Sequence, residues 1–578
     1  MAQKNTKNPW KFIYLPFILL GLMYGCDIDL ERTFSDNITP HRSEIIVPAE
    51  IEGSVSLGFT TSIDWEATSD VNWITIEDKF KTGKQGGNNI DILIEPNKTE
   101  EKREGKITIS SLNGELSRTI TIIQEAEPED VSTIQTLFHV KENGDGSGRS
   151  WKRAINLQSA LDLAIAGDTI YLAEGFYKPS KTITNGDSND DRNKTFEISK
   201  NITIVGGFPS DAIKTSESDP SNYKTILSGK LAEGVNAYHT VVVSAPLVPG
   251  EEVNISALTI RDGASANKGK VDINNSSYDS WYGGGINIAN AIVNLTDVTI
   301  TENNNVGNDE SSRAGGVMIK DDSRVTFNNC FITKNSVSSN HGGMRIDDST
   351  VYMYNSEISY NSSNTSAGVY ATGSSTELHL YNSVVKENMS AEYGGGLYIA
   401  WGSVAYIVNS LIINNINNHE GTKGGGALML YKDNSTAYVI SSTITGNKAT
   451  YGGGVLGLSG DVYLNVYNSI ISGNHSQEGD TEVYKASGSL INSSKSSVVD
   501  GKFYDSARVE NPGAINIADI LNSELLPIGS PVTDKGMSGS DLTSDTGMPT
   551  LSNDEYLSID YHSNSRTQAI MGAIVGEK

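Results

Sequence analysis

The feature that most constrains this chain is a tandem repeat of about 27 residues in its second half. Glycine clusters recur there, and the last glycines of successive clusters are 31, 27, 25, 28, 30 and 28 residues apart. A second mark in each unit is an Asn three residues after an Ile or Val, at Asn303, Asn335, Asn361, Asn388, Asn415, Asn447 and Asn474. Self-similarity at such a period predicts a solenoid in which every repeat forms one coil.

Each repeat contains short β-branched strands without a helical period, which predicts one coil of a parallel β-helix. Alternate strand residues are apolar and are expected to face the interior. They form two ladders, Val325, Val351, Leu378, Ala405, Ala437 and Leu464 in one and Phe327, Met353, Leu380, Ile407, Val439 and Val466 in the other. The recurrent Asn is expected to hydrogen-bond from coil to coil, a structural role. At the start of the array, residues 157–164 show a helical apolar face and are predicted to cap the stack.

Composition narrows the functions that the chain can have. Its 578 residues include 44 Lys or Arg and 70 Asp or Glu, which gives a formal charge of −26. We therefore expect no nucleic-acid binding, because phosphate contact requires a cationic face. The same charge disfavours a polyanionic ligand unless Ca²⁺ bridges it. Cys26 and Cys330 are too few for a disulfide framework or a thiolate zinc cluster.

The N-terminus has the pattern of an export signal. Lysines precede an apolar run at residues 12–24, which is too short to span a bilayer comfortably. The segment that ends in Gly25-Cys26 resembles a bacterial lipobox, and the acidic residues after Cys26 resemble the surface-export signal of Bacteroidota lipoproteins. These resemblances imply a lipoprotein signal peptide at 1–25, lipidation of Cys26 and a polar tether at 26–43. They place the protein on the outer membrane, exposed at the cell surface and held by lipid alone; a plain signal peptide and inner-leaflet residence are the alternatives.

Residues 44–126 contain alternating strands separated by turns, the pattern of an immunoglobulin-like β-sandwich. The order of Asp64-Trp65, Asn72-Trp73, Pro96-Asn97, Arg103-Glu104-Gly105 and Ile123-Gln124 resembles the BACON family. For that family a carbohydrate- or mucin-binding role has been proposed, so this domain is expected to be a spacer that also binds, or only a spacer. The two tryptophans are candidates for sugar stacking, but Trp beside apolar strand positions is more often part of the core.

The long array is similar to right-handed β-helix proteins of the pectin-lyase-like superfamily. The residues that carry this similarity include Gly144-Asp145-Gly146, Glu174-Gly175-Phe176-Tyr177 and Val205-Gly206-Gly207-Phe208. A closing segment at 529–536 strengthens it. The fold class predicted for the whole chain is all-β, with the sandwich followed by a right-handed parallel β-helix over residues 131–578. Such a resemblance specifies a fold and not a reaction.

Aromatic residues alternate with the interior ladders and are therefore expected on the outer surface. They are Tyr352, His379, Tyr406 and Tyr438 in one column and Tyr354 and Tyr381 in the next, with a third group of Tyr370 and Tyr398 near Trp401 and Tyr431. Exposed aromatic columns suit the apolar faces of sugar rings, and a rigid platform suits a polymer. The first two columns are the predicted glycan-binding residues. The alternative is that the rings only pack against each other across strands and stabilise the sheet.

Charged residues on neighbouring coils give a catalytic alternative. β-Helix polysaccharide lyases use a Lys or Arg base and often carboxylate-bound Ca²⁺, so Lys320 and Arg345 are candidate bases for attack on a uronate. The candidate Ca²⁺ ligands are Asp321, Asp322, Asp347 and Asp348. The structural interpretation is that Asp-Asp-Ser after a strand simply forms a turn. The sequence therefore predicts a surface lipoprotein that binds polysaccharide or host glycoconjugate without turnover, with a polysaccharide lyase and an adhesin or structural stalk as alternatives.

Overall fold

The structure is a computed structural model that describes residues 36–511 with short gaps. The gaps are residues 52, 100, 128–133, 305–311, 422, 478–482, 486–490, 496, 500–501 and 505–508. The predicted signal peptide, Cys26 and the closing segment at 529–536 lie outside the described residues. The chain divides into two compact units, Met1–Asp130 and Val131–Lys578. None of the helices that the structure describes has the length and apolarity needed to cross a bilayer.

The first unit is a β-sandwich of two sheets. One sheet consists of Ile38–Pro40, Ser54–Thr61, Gly86–Ile94 and Ile74–Ile76, and the other of Glu44–Val47, Ser117–Gln124, Arg103–Ser111, Trp65–Ser69 and Thr82–Gly83, with a 3₁₀ turn at Asp78–Phe80. Alternate residues of both sheets form one apolar core. Trp65 and Trp73 belong to that core and are 3% and 8% exposed. Their ring faces are thus used for packing, as the structural interpretation of these residues predicts.

The second unit is a parallel β-helix built from three groups of strands. The long sheet contains Leu137–Val140, Thr169–Ala173, Gly175–Tyr177, Thr203–Phe208, Thr225–Ser228, Val253–Arg261, Ile292–Thr301, Arg324–Asn328, Phe331–Thr333, Thr350–Tyr354, Glu357–Ser359, Glu377–Tyr381, Val384–Lys386, Val404–Val408, Leu411–Ile413, Ser435–Ile440, Thr443–Thr445, Val462–Tyr467, Ile470–Ile471, Ile491–Lys495, Ser497–Val499, Lys502–Tyr504 and Val509–Asn511. The second sheet contains Phe196–Ile198, Val241–Val243, Ile286–Ala289, Val317–Lys320, Met344–Asp347, Val369–Thr372, Leu397–Ala400, Leu428–Tyr431, Val455–Ser459 and Val483–Lys485. The third contains Ser362–Thr365, Met389–Tyr393, Ile416–Asn417, Lys448–Ala449 and His475–Ser476.

The remaining elements that the structure describes in this unit are two hairpins and two short helices. The hairpins are Lys230–Ala232 with Val235–Asn236 and Lys270–Ile273 with Ser276–Asp279, and the helices are Leu157–Leu163 and a 3₁₀ turn at Asp191–Asn193. The predicted capping helix is present, and it buries Leu157, Ala160 and Leu161. Asn156 is the N-cap of this helix, because its side chain accepts a hydrogen bond from the Ser159 backbone N–H at 2.9 Å.

Successive coils pair in register, and this aligns the interior ladders. Val325 lies opposite Val351, which lies opposite Leu378. All twelve residues of the two predicted ladders are 0% exposed. The predicted all-β fold and its repeat register are therefore confirmed.

The recurrent Asn forms a continuous buried column. From Asn335 onward, each side-chain oxygen accepts from the backbone N–H and the side-chain amide of the Asn one coil earlier. The Asn388 oxygen, for example, accepts from Asn361 N at 3.0 Å and from Asn361 Nδ2 at 2.9 Å. The same amide also donates to a backbone carbonyl, Ile332 O in the case of Asn361. Buried polar groups at the turn are thereby satisfied coil by coil.

Candidate functional site

The first aromatic column forms a stacked ladder, which we define as Tyr352, His379, Tyr406 and Tyr438. In-register pairing places these residues directly above one another on neighbouring strands. Ring centroids are 4.6, 4.5 and 5.3 Å apart in chain order, and the ring planes lie within 23° of parallel. The parallel sheet brings the rings face to face because each coil repeats the same side-chain direction.

This stacking changes what the ladder can offer to a ligand. The ring faces contact each other, so edges and hydroxyl groups face outward. His379 is 5% exposed. Burial lowers the pKa of His379, while a hydrogen bond to Glu377 opposes that shift. Burial also raises the pKa of Tyr406 to about 12. The stacking of the rings and the burial of His379 thus favour the packing interpretation of the ladder.

The neighbouring column is covered more completely. Tyr354 stacks on Tyr381 at 5.2 Å, and the prediction that Tyr381 is a solvent-facing sugar contact is wrong because its side chain is 0% exposed. The adjoining Val408 and Ile440 are also fully buried. Alternation along the strand predicted an outward direction correctly, but an outward side chain is not an exposed one when its neighbours enclose it.

The third aromatic group forms a cleft on the outer side of the second sheet. Tyr370 and Tyr398 lie opposite each other on neighbouring strands, and Ala400 lies opposite Tyr431 on the next. The aromatic cleft, as we call it, has a volume of about 610 Å³ and is lined by Arg313, Asn340, His341, Arg345, Thr365, Tyr370, Tyr393, Tyr398, Trp401, Lys423, Tyr431, Leu458 and Ser459. Four tyrosines, one tryptophan and three cationic side chains thus meet in a lining whose described residues include no carboxylate.

Arg345 is held rigidly at one end of the cleft. Its Nε and Nη2 donate to Asp347 at 2.9 and 2.8 Å, and its Nη1 contacts His341 Nε2 at 3.1 Å. The guanidinium lies 5.2 Å from the Tyr370 ring centroid. Burial by itself lowers the pKa of Arg345, but the Asp347 carboxylate outweighs this effect and the net shift is upward. A guanidinium so held is a poor general base.

His341 completes this end of the cleft. Its ring stacks on Tyr370 with centroids 4.2 Å apart and planes 2° from parallel. Burial, followed by the charges of Arg345 and Arg313, lowers the pKa of His341 well below its usual value, so the ring is neutral. Because Arg345 Nη1 donates to Nε2, the ring proton is assigned to Nδ1, which has no hydrogen-bond partner.

The other predicted catalytic and metal residues do not assemble around this guanidinium. Lys320 Nζ lies 3.3 Å from Asp321, outside the cleft lining. Asp321 and Asp322 are exposed turn residues with φ of 58° each. Asp348 accepts a hydrogen bond from Ser375 at 2.9 Å. Within the part of the chain that the structure describes, no three His, Cys, Asp or Glu side chains form a group able to hold a metal ion.

Trp401 is a functional candidate that the alternation argument missed as a site residue. Its φ is 57°. Trp401 lies at a corner of its coil, and the residues at the same corner of neighbouring coils, Asp348, Gly373 and Lys432, also have positive φ. This left-handed conformation is unusual for a bulky residue. Trp401 nevertheless remains 41% exposed and meets Tyr431 edge-on at 5.4 Å. The sequence signal was an aromatic residue at a turn position that favours Asn, Asp or Gly.

Two family models match separate parts of this chain. Residues 64–125 match the BACON family, described as a putative binding domain, and residues 249–415 match the right handed beta helix region. Pectate lyase Pel9A is similar at 12% identity with a TM-score of 0.42, over 77% of this chain and 97% of that one. A GH5 xyloglucanase from Bacteroides ovatus, in complex with a XXXG heptasaccharide, shares 13% identity with a TM-score of 0.15, over 38% of this chain and 46% of its own. No curated protein matches. The chain therefore carries a BACON domain followed by a right-handed parallel β-helix.

Proposed function

We propose that the β-helix captures an acidic glycan in the aromatic cleft without cleaving it. The observation that carries this proposal is the meeting of four tyrosines and one tryptophan with three cations, and with no carboxylate among the described lining residues. Aromatic faces bind the apolar faces of sugars, and guanidinium and ammonium groups bind carboxylate or sulfate substituents. Several neighbouring coils contribute to the cleft, so its rings can contact successive sugars of a chain.

The local charge supports an acidic ligand in spite of the formal charge of −26. Arg313 donates to the Tyr282 hydroxyl at 3.0 Å and lies over the Trp281 ring at 5.4 Å. It makes no ion pair with a described acidic residue, and its buried Nε has no hydrogen-bond partner. Lys423 is 3.9 Å from Glu392, a long and weak ion pair. The positive charge of Arg313 and Lys423 is thus available to a ligand.

The exposed Trp401 gives independent support for a binding surface. A bulky residue in the left-handed region costs on the order of 1–2 kcal/mol, and Asn, Asp or Gly would avoid most of that cost. The conformation is maintained while much of the indole stays in contact with solvent. Because neighbouring coils have positive φ at the same corner, the exposure of the indole, rather than its backbone conformation, marks Trp401 as a candidate contact. We infer that Trp401 is the principal sugar platform at the rim of the cleft.

The ion pairs of the candidate bases support our proposal of binding without turnover. Arg345 forms an ion pair with Asp347, and Lys320 forms one with Asp321. Neither basic group is therefore poised to accept a proton from a sugar carbon. We also propose, as the sequence suggests, that lipidation of Cys26 holds the protein on the cell surface, where a long polymer can reach the cleft.

The test combines a glycan array with an ultraviolet assay for unsaturated uronide products. We expect acidic oligosaccharides to bind, Trp401→Ala and Arg313→Gln each to weaken binding about tenfold or more, and no product to form. Tyr463→Ala is the matched control, because Tyr463 is a half-buried tyrosine on the long sheet. Product formation that disappears in Arg345→Ala would instead establish a lyase, and unchanged binding in Trp401→Ala would refute the assignment of the cleft.

A further inference from the structure

A second hollow lies where two excursions from the regular coils meet, far along the chain from the aromatic cleft. One excursion is the segment 181–195, and the other is the hairpin of Lys270–Ile273 and Ser276–Asp279. They are joined by a hydrogen bond from Asn185 Nδ2 to Asp272 O at 2.8 Å. Insertions in a solenoid map to loops on one face, and such loops often form the binding surface.

The hollow encloses about 240 Å³, below the roughly 300–1,000 Å³ of sites for drug-sized ligands, which suits a ligand of about one sugar ring. Ile183 and Tyr278 provide buried apolar surface. The Tyr278 hydroxyl donates to Val243 O at 2.9 Å, so this ring is fixed. Polar groups occupy most of the rest of the lining, among them Asn193, Thr195 and Ser280.

Among the described residues, three cations and one carboxylate line the hollow. The cations are Arg192, Lys268 and Lys270, and the carboxylate is Asp187. Asp187 already accepts from the Asn189 backbone N–H at 2.9 Å and from its side chain at 3.0 Å. None of the three cations forms an ion pair with an acidic residue in the described ranges. Positive charge in excess therefore faces the hollow of a strongly acidic chain.

Arg192 is oriented before any ligand arrives. Its Nε donates to Asn236 O at 2.9 Å and its Nη2 to Ala264 O at 2.5 Å, while its guanidinium lies 4.2 Å from the Tyr238 ring centroid. These contacts fix the side chain without neutralising its charge, since both acceptors are backbone carbonyls. A cation fixed in this way loses little conformational entropy when it binds an anion.

His239 contributes a hydrogen-bond acceptor to the same lining. Its Nδ1 donates to Gly283 O at 3.0 Å, which leaves the lone pair on Nε2. Burial lowers the pKa of His239 to about 4, so the ring is neutral at ordinary pH. The hollow thus combines cationic donors, amide and hydroxyl groups and one neutral acceptor, a set that matches a ring bearing both hydroxyls and an acid.

We propose that this hollow binds one carboxylate-bearing pyranose unit, with the carboxylate at Arg192, Lys268 and Lys270 and the hydroxyls at the polar lining. Two sources share this chemistry, a free sugar acid and the terminal uronate of a polysaccharide. The site is separate from the aromatic cleft and does not depend on the function proposed for it.

Isothermal titration calorimetry with D-glucuronate tests the proposal, with D-glucose and acetate as reference ligands. We expect D-glucuronate to bind at least about tenfold more tightly than either reference, because only it supplies both the carboxylate and the hydroxyls. A methyl glucuronide and a glucuronate-terminated oligosaccharide distinguish the two sources. Failure of all the uronates to bind, or equal binding of glucose, would overturn the proposal.

Paired lysine variants locate the site. Lys268→Gln with Lys270→Gln should weaken glucuronate binding about tenfold or more, and Lys98→Gln with Lys214→Gln, exposed lysines elsewhere, should leave it unchanged. Thermal unfolding verifies that each variant is folded. Binding that resists the first pair but is lost in Arg313→Gln would show that uronates bind in the aromatic cleft, which overturns this proposal and supports the other.

Discussion

Removal of one side chain from the buried Asn column tests the structural basis of the whole β-helix. Asn388 lies in the middle of that column and is 0% exposed. Its Nδ2 donates to Ile358 O at 3.0 Å and to Asn415 Oδ1 at 2.9 Å. Its Oδ1 accepts from Asn361 N at 3.0 Å and from Asn361 Nδ2 at 2.9 Å. Asn388→Ala deletes all of these bonds at once.

The size of the effect follows from the groups that lose their partners. The Asn361 backbone N–H and one hydrogen of its side-chain amide would have no acceptor in a site without water access. Each stranded buried donor costs about 1–3 kcal/mol, so the free energy of unfolding should fall by about 2–6 kcal/mol. Coils of a solenoid contact only their neighbours, so the loss should centre on the coils that contain Asn361, Asn388 and Asn415.

The measurement is chemical unfolding followed by circular dichroism, with hydrogen exchange to locate the weakened coils. The control is Asn364→Ala, since Asn364 is only half-buried and lies on the short strand Ser362–Thr365. That change should alter the free energy of unfolding by less than about 0.5 kcal/mol. A loss below about 1 kcal/mol in Asn388→Ala, or an equal loss in both variants, would refute a column held by these hydrogen bonds.

Three further outcomes follow from burial. Burial raises the pKa of Cys330 to about 12. In a Cys26→Ser background, a thiol reagent should therefore react with Cys330 only as the protein unfolds. Rapid labelling of the folded protein would contradict this. The pKa of Tyr406 is raised to about 12, above its unfolded value, so its stabilising contribution is complete below pH 10 and is lost as pH rises from 10 towards 12. Ultraviolet titration of the protein and of Tyr406→Phe measures this, and ionisation near pH 10 would refute it. Gly368→Ala should lower the free energy of unfolding by about 1–3 kcal/mol, because the new Cβ would collide with Gly396 O. An unchanged melting temperature would contradict the close packing of these corners.

The candidate site was predicted less completely than the fold. The alternation of inward and outward residues along each strand predicted that Tyr352, Tyr381 and Tyr406 point outward. It could not show that stacking between coils would hide the faces of their rings. Arg345 was a candidate base on the strength of its neighbours in sequence. The structure pairs it with Asp347 two residues away and surrounds it with aromatic rings from other coils. Side-chain pairing depends on rotamers and on neighbours from other coils, which a linear pattern does not record.

The sequence by itself determined the coil, its register and its interior, because a repeat that places an apolar residue at every second strand position can bury those residues in only one way. The glycine corners and the Asn column follow from the same periodicity. The tertiary structure decided which outward residues stay accessible and where charge is left unpaired. Those properties arise between coils, as at Trp401 and Arg313, and at irregular excursions such as the segment 181–195. Function in this protein is therefore expected at outward positions and at the excursions, since the inward positions are occupied in holding the coils together.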